Sequence, residues 1–180
     1  MTDRAGVKRP KKSDPATNKK REGQAMPARL TTENLIDIEE IKQLRNLYCH
    51  YYDGCEIDKL AELFCEDGVC EFPEQFGGSW VGRDAIRENF NKQSHQPPHS
   101  VTHAVTNPWI RLVSETRANG RWYLLDLRTT EGAENPLILF GIYDDIYHKV
   151  DGEWLIFKTR IDFLWPNRNY FGHRTPEELA

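Results

Sequence analysis

LILFGIYDDIYHKVDGEWLIFKTRIDF, residues 137–163, contains two runs rich in β-branched and aromatic residues, separated by Asp151-Gly152. Such side chains fit a pleated, half-buried surface, and an Asp-Gly pair supplies the positive backbone angles of a two-residue hairpin. The stretch therefore predicts two adjacent antiparallel strands, 137–149 and 153–163. Residues 101–113 and 121–130 have the same character. The C-terminal half reads as an antiparallel sheet.

Upstream of residue 95 the period changes. Leu35, Ile38, Ile41, Leu44, Tyr48 and Tyr52 recur at spacings of three and four, one apolar helical stripe. Thr31 and Thr32 are placed to cap this helix and Gly54 to interrupt it, while Asp58 can cap a second, short one with Leu60, Leu63 and Phe64. A turn at Asp67-Gly68, a short strand over 69–72 and an amphipathic helix over 83–92 follow. Three helices followed by a curled sheet place the chain in the α+β class.

With 180 residues the chain is in the one-domain range, large enough for a real core with room for a pocket. Residues 1–29 hold nine Lys or Arg against three Asp or Glu, which leaves fifteen against twenty-five for residues 30–180. The basic stretch has no aromatic residue and almost nothing to bury, so it is expected to be a disordered tail. Its clusters at 8–12 and 19–21 suit a nuclear or anionic-surface address or a plain solvated tail, and Met26, where composition shifts, is an alternative start. The acidic 30–180 domain would repel a phosphate backbone, which argues against nucleic acid as its partner.

No run approaches the length of a membrane span, and no secretory h-region is visible at the start, so a soluble, cytoplasmic protein with no membrane partner is expected. Cys49, Cys55, Cys65 and Cys70 contain no C-x-x-C pair and are expected to be reduced thiols. His95, His99 and His103 are four apart, but Pro97 and Pro98 break the helix that would align them, so no metal site is expected. Gly-rich phosphate loops, H-E-x-x-H and G-x-S-x-G are absent from the sequence. Chemistry without a cofactor becomes the expectation.

Three residues stand out within the predicted elements. Asp53 closes the aromatic run that starts at Tyr48, where a helix-end aspartate would also serve as an ordinary turn residue. His103 lies among Val101, Thr102, Ala104 and Val105, as a base or as a wall residue. Asp126 ends the run Trp122-Tyr123-Leu124-Leu125, and a carboxylate in an aromatic strand must be paired, neutral or wet. Arg160 is its candidate partner, or a surface arginine.

The segment 41–72, IKQLRNLYCHYYDGCEIDKLAELFCEDGVCEF, and the close YDDIY at 143–147 followed by VDGEW at 150–154 resemble the SnoaL-like proteins of the nuclear transport factor 2 superfamily. The resemblance covers about residues 30–165. It implies a cone in which a curved, mixed or antiparallel sheet wraps around a deep apolar pocket, with three N-terminal helices partly closing it. Scytalone dehydratase and bile-acid 7α-dehydratase share that fold with isomerases, polyketide cyclases, non-catalytic members and the small subunits of ring-hydroxylating dioxygenases.

In the dehydratase-like members a tyrosine, an aspartate five residues later and a strand histidine form the catalytic set, which match Tyr48, Asp53 and His103. The resemblance also implies that Asp126, Tyr52, Trp122 and Arg160 contact substrate, although the family's last-strand arginine falls a few positions after Arg160. It implies a homodimer or homotrimer. The expected activity is a cofactor-independent dehydratase or isomerase acting on an apolar, carbonyl-containing small molecule of steroid or polyketide type. A binding or scaffold member, or an oxygenase small subunit, is the alternative.

Overall fold

The computed structural model describes residues 30–94, 101–129, 132 and 134–170. The expectation for the basic tail, and the positions of His95 and His99, lie outside the described residues. Among the described residues no helix is long and apolar enough to cross a membrane.

The elements run α1 (Thr32–Asp53), α2 (Ile57–Glu62), β1 (Phe64–Glu71), a single 3-10 turn (Glu74–Phe76), β2 (Ser79–Val81), α3 (Arg83–Ser94), β3 (Val101–Ser114), β4 (Arg117–Arg128), β5 (Leu137–Val150) and β6 (Glu153–Trp165). The Thr31 hydroxyl accepts from the Asn34 backbone N–H at 3.2 Å and so caps α1, which ends at Gly54. Only the part of the apolar stripe from Ile41 onward is buried. Leu35 is 51% exposed, and Asp37 ties that end of the helix to Lys149 and Trp154 instead.

Two local expectations change. Asp58 does not cap α2: the cap position is Glu56, without a side-chain hydrogen bond, because the Glu56 N–H already turns back onto the Tyr51 carbonyl. Asp67-Gly68 is not a turn that precedes a strand but an irregularity inside β1. There the pairing with β6 jumps from Phe64 opposite Ile156 to Val69 opposite Lys158.

The six strands form one sheet in the order β2-β1-β6-β5-β4-β3, antiparallel except for the parallel β1–β6 pair. The Asp151-Gly152 hairpin has the positive φ values, 51° and 88°, that its residues favour. Register shifts interrupt β1–β6 and each antiparallel pair from β3 to β6, and extra residues of this kind bend and twist strands, curling the sheet.

The concave side receives α1 and α3, whose Ile41, Leu44, Tyr48, Ile86 and Phe90 pack with Phe64, Trp80, Tyr147 and Ile156. Each such side chain contributes roughly 1.5–3 kcal/mol by leaving water. Arg83 pins α3 to β1 by donating from both Nε and Nη2 to the Phe64 carbonyl, at 2.9 and 2.6 Å. Helices closed over a curled sheet leave a space between the two layers.

Candidate active site

That space is a cavity of about 460 Å³, a figure that includes the open solvent at its mouth. Its wall is largely aromatic and aliphatic, with Tyr48, Tyr52, Phe72, Phe90, Leu124 and Tyr143 prominent, and His103, Asp126 and Gln93 supply its other polar groups. Among the described residues no lysine or arginine lines it. Such a wall favours uncharged, apolar molecules with a few polar substituents.

Asp53 is the last residue of α1 and reaches across to the start of β3. Its Oδ2 accepts the His103 backbone N–H at 2.9 Å, and its Oδ1 lies 2.6 Å from the His103 Nδ1. An ionised carboxylate only accepts, so this contact puts a ring proton on Nδ1, and in the neutral imidazole Nε2 then keeps its lone pair. Holding both backbone and ring fixes the imidazole in position and tautomer. The Tyr52 ring stands edge-on to it, with centroids 4.7 Å apart. Burial, with Asp126 and Asp53 adding to it, pushes the Tyr52 phenol up to about 12.

Register brings the third group. His103 and Asp126 are directly paired across β3 and β4, so both side chains face the concave side, with Nε2 4.0 Å from the Asp126 Oδ2. That is too long for a hydrogen bond. An atom placed beside both can instead contact each. Burial raises the Asp126 pKa, the nearby His103 lowers it, and Asp53 raises it further, for a net rise. Its Oδ1 is buried and has no hydrogen-bond partner among the described residues.

Tyr48 is almost fully buried, 2% exposed, yet lines the cavity. Beneath it lies Arg45, which stands in the apolar stripe of α1 and is wholly buried. Its guanidinium carbon lies 4.1 Å from the Tyr48 ring centroid and 3.6 Å from that of Tyr143. Asp145 balances the charge, with Oδ2 3.6 Å from the Arg45 Nε. The same carboxylate accepts from the Tyr147 and Thr159 hydroxyls, each at 2.6 Å, and the Trp122 Nε1 donates to the Tyr147 hydroxyl at 3.0 Å.

The sequence-derived residues thus divide. Tyr48, Tyr52, His103 and Asp126 all line the cavity, and Asp53, outside its lining, holds His103. Trp122 shares the concave face with Leu124 and Asp126 but is held behind the wall by its bond to Tyr147, outside the cavity lining. Arg160 does not meet Asp126: Ile161 turns into the cavity, so Arg160 takes the opposite face of β6, where its Nη2 lies 3.3 Å from an Asp162 oxygen.

The sequence reading misses Tyr143 and Arg45. Tyr143 has a faint signal, two strand periods after the cavity-lining Leu139. Arg45 has a clearer one, a charge at a stripe position between Ile41 and Tyr48. Among the described residues no group of three or more His, Cys, Asp or Glu is placed to hold a metal ion.

The SnoaL-like domain model matches residues 33–160. Among solved structures, the chain is similar to a scytalone dehydratase candidate from Novosphingobium aromaticivorans, 26% identical over 81% of this chain and 100% of that one, with a TM-score of 0.69. A protein of unknown function from Mycobacterium tuberculosis is 27% identical over 73% of each chain, with a TM-score of 0.65. ActVI-ORFA from Streptomyces coelicolor, 17% identical over 70% of this chain and 96% of that one with a TM-score of 0.61, shares the fold. Since the family model spans most of the chain and the curled sheet, helices and cavity agree with it, the chain belongs to the SnoaL-like family, of nuclear transport factor 2 fold.

Proposed function

We propose that this protein is a cofactor-independent dehydratase or isomerase that acts on an apolar, carbonyl-containing small molecule of polyketide or steroid type. The observation that carries the reading is the Asp53–His103 pair, in which Asp53 holds Nδ1 and the backbone N–H of a histidine that lines an apolar cavity. Removing a proton next to a carbonyl needs a positioned base that works near neutral pH, and imidazole is suited to it. Asp53 stabilises the imidazolium that forms.

Asp126 completes the chemistry. Burial moves its pKa up, toward the acid form that donation to a departing hydroxyl needs. In a dehydration, His103 takes the α-proton, the new C=C bond forms, the C–O bond breaks and the Asp126 proton leaves with the hydroxyl as water. The proton on His103 then returns to Asp126. In an isomerisation, a proton goes back to a different carbon instead. Tyr48 donates to the carbonyl oxygen as charge develops there. The similarity to a scytalone dehydratase candidate favours dehydration.

A screen of β-hydroxy ketones and 3-oxo-steroids tests the reading. For any compound that is turned over, His103→Ala is expected to lower kcat by about 10²–10⁴ with KM little changed, since the base acts in the transition state. Comparable turnover by the variant would refute the mechanism. Ligands that bind the wild type and never react would favour a binding module.

A further inference from the structure

Arg45, wholly buried behind the wall of this cavity, is a cation that the proposed chemistry leaves unused. It makes no contact with the cavity itself; two tyrosines lie between. Its guanidinium faces the rings of both Tyr48 and Tyr143, which approach it from α1 and β5. Each of these tyrosines also lines the cavity. Asp145 sits behind the guanidinium, its two oxygens held by the hydroxyls of Tyr147 and Thr159. The ion pair is therefore an oriented dipole with its positive end against two phenol rings.

We propose that Arg45 is a positioning residue of the site, which polarises Tyr48 and Tyr143 together so that their hydroxyls form a two-donor cradle for a substrate oxyanion. This rests on reading the cavity as an active site. A cation over the face of a phenol draws electron density from the ring and oxygen, so the O–H becomes a better donor and tolerates a nearby negative charge. A desolvated site strengthens the effect, because little solvent screens it.

The electrostatics agree. Burial raises the pKa of both phenols, and the neighbouring cation works against that on each. On Tyr143 a hydrogen bond from Tyr48 acts in the same direction as the cation; when an oxyanion arrives, the Tyr48 hydroxyl rotates from Tyr143 to the oxyanion and becomes the second donor. A methionine or leucine at position 45 would fill the same stripe and pack against the same rings. It would leave the cradle with two ordinary buried phenols.

The test must separate polarisation from packing. Arg45→Met alone would strand the Asp145 carboxylate in the core, so it is paired with Asp145→Asn, and folding is checked by circular dichroism and thermal melting. Binding of a graded series of naphthols and nitrophenols, each as neutral phenol and as phenolate, is measured by fluorescence or absorbance titration. The wild type is expected to prefer the phenolate, and the folded double variant to lose about tenfold of that preference while binding the neutral forms as before.

Arg45→Lys, which keeps the charge, should retain part of the preference. A wild type without the preference, or a folded double variant that retains it, overturns the proposal. Neither result depends on turnover, so failure here is distinct from an unchanged rate in His103→Ala.

Discussion

Asp126 is the residue whose chemistry and stability pull in opposite directions. Its folded pKa is raised above the ordinary carboxylate value of 3.8, chiefly by burial. Folding therefore favours the neutral acid. The contribution to stability is intact at pH values below the unfolded pKa and is lost as pH rises through the folded one. Asp126→Asn, neutral at every pH, is expected to melt higher than the wild type at pH 7, by about 3 °C. The gain should shrink steadily as pH is lowered toward 4, a trend that melting curves across pH will show. A constant difference would mean that the substitution acts through packing.

Residue-level legibility follows from what a sequence can mark. Asp53 and His103 are visible because each is polar at a place where pattern demands otherwise, a helix end in an aromatic run and the middle of a β-branched strand. The ion pair of Arg45 with Asp145 is not, since it joins residues 100 positions apart and the partner is chosen only when α1 lies down on the sheet.

At the scale of elements, one irregularity in β3 decides whether the site exists. Before Asn107 the odd residues His103 and Val105 face the helices; after it the even residues Ile110 and Leu112 do. Between Thr106 and Trp109 the strand advances three residues while β4 advances two, and Asn107 absorbs the difference at a φ of 52°. Deleting Asn107 removes the extra residue, so one half of the strand must turn its side chains to the wrong face.

The expected result of that deletion is a loss of more than about 2 kcal/mol, from exposing either the valine or the isoleucine and leucine, and loss of ligand binding. Urea unfolding and probe titration measure both. Period-2 alternation and the Asp-Gly hairpin make the four long strands legible in the sequence. The bulges are not, and β2, three residues long, goes unseen.

For the whole molecule, the division of charge is the feature that sequence displays most openly. The tail at 1–29 is basic and without aromatic residues, and the domain is acidic. A chain beginning at Met26 is expected to melt within about 1 °C of the full chain in differential scanning calorimetry, since the removed residues have little to bury. A drop of many degrees would mean that the tail packs on the domain. The cone itself is legible because helical and strand periods occupy separate halves of the chain. Its depth and the choice of lining residues are products of curvature, which no local pattern records.

Asp53 is the final residue of a 22-residue helix, and that position has a consequence for folding and for rate alike. The peptide dipoles of a helix sum to partial negative charge at the carboxyl end, so an ionised aspartate there sits in a repulsive field that weakens the helix by about 0.3–1 kcal/mol. An uncharged residue would suit α1 better. The same field reaches the imidazole that Asp53 holds. In the proposed mechanism His103 takes up a proton, the new positive charge then faces the carbonyl end of the helix as well as one carboxylate, and a placement that costs the resting protein stability would favour that intermediate.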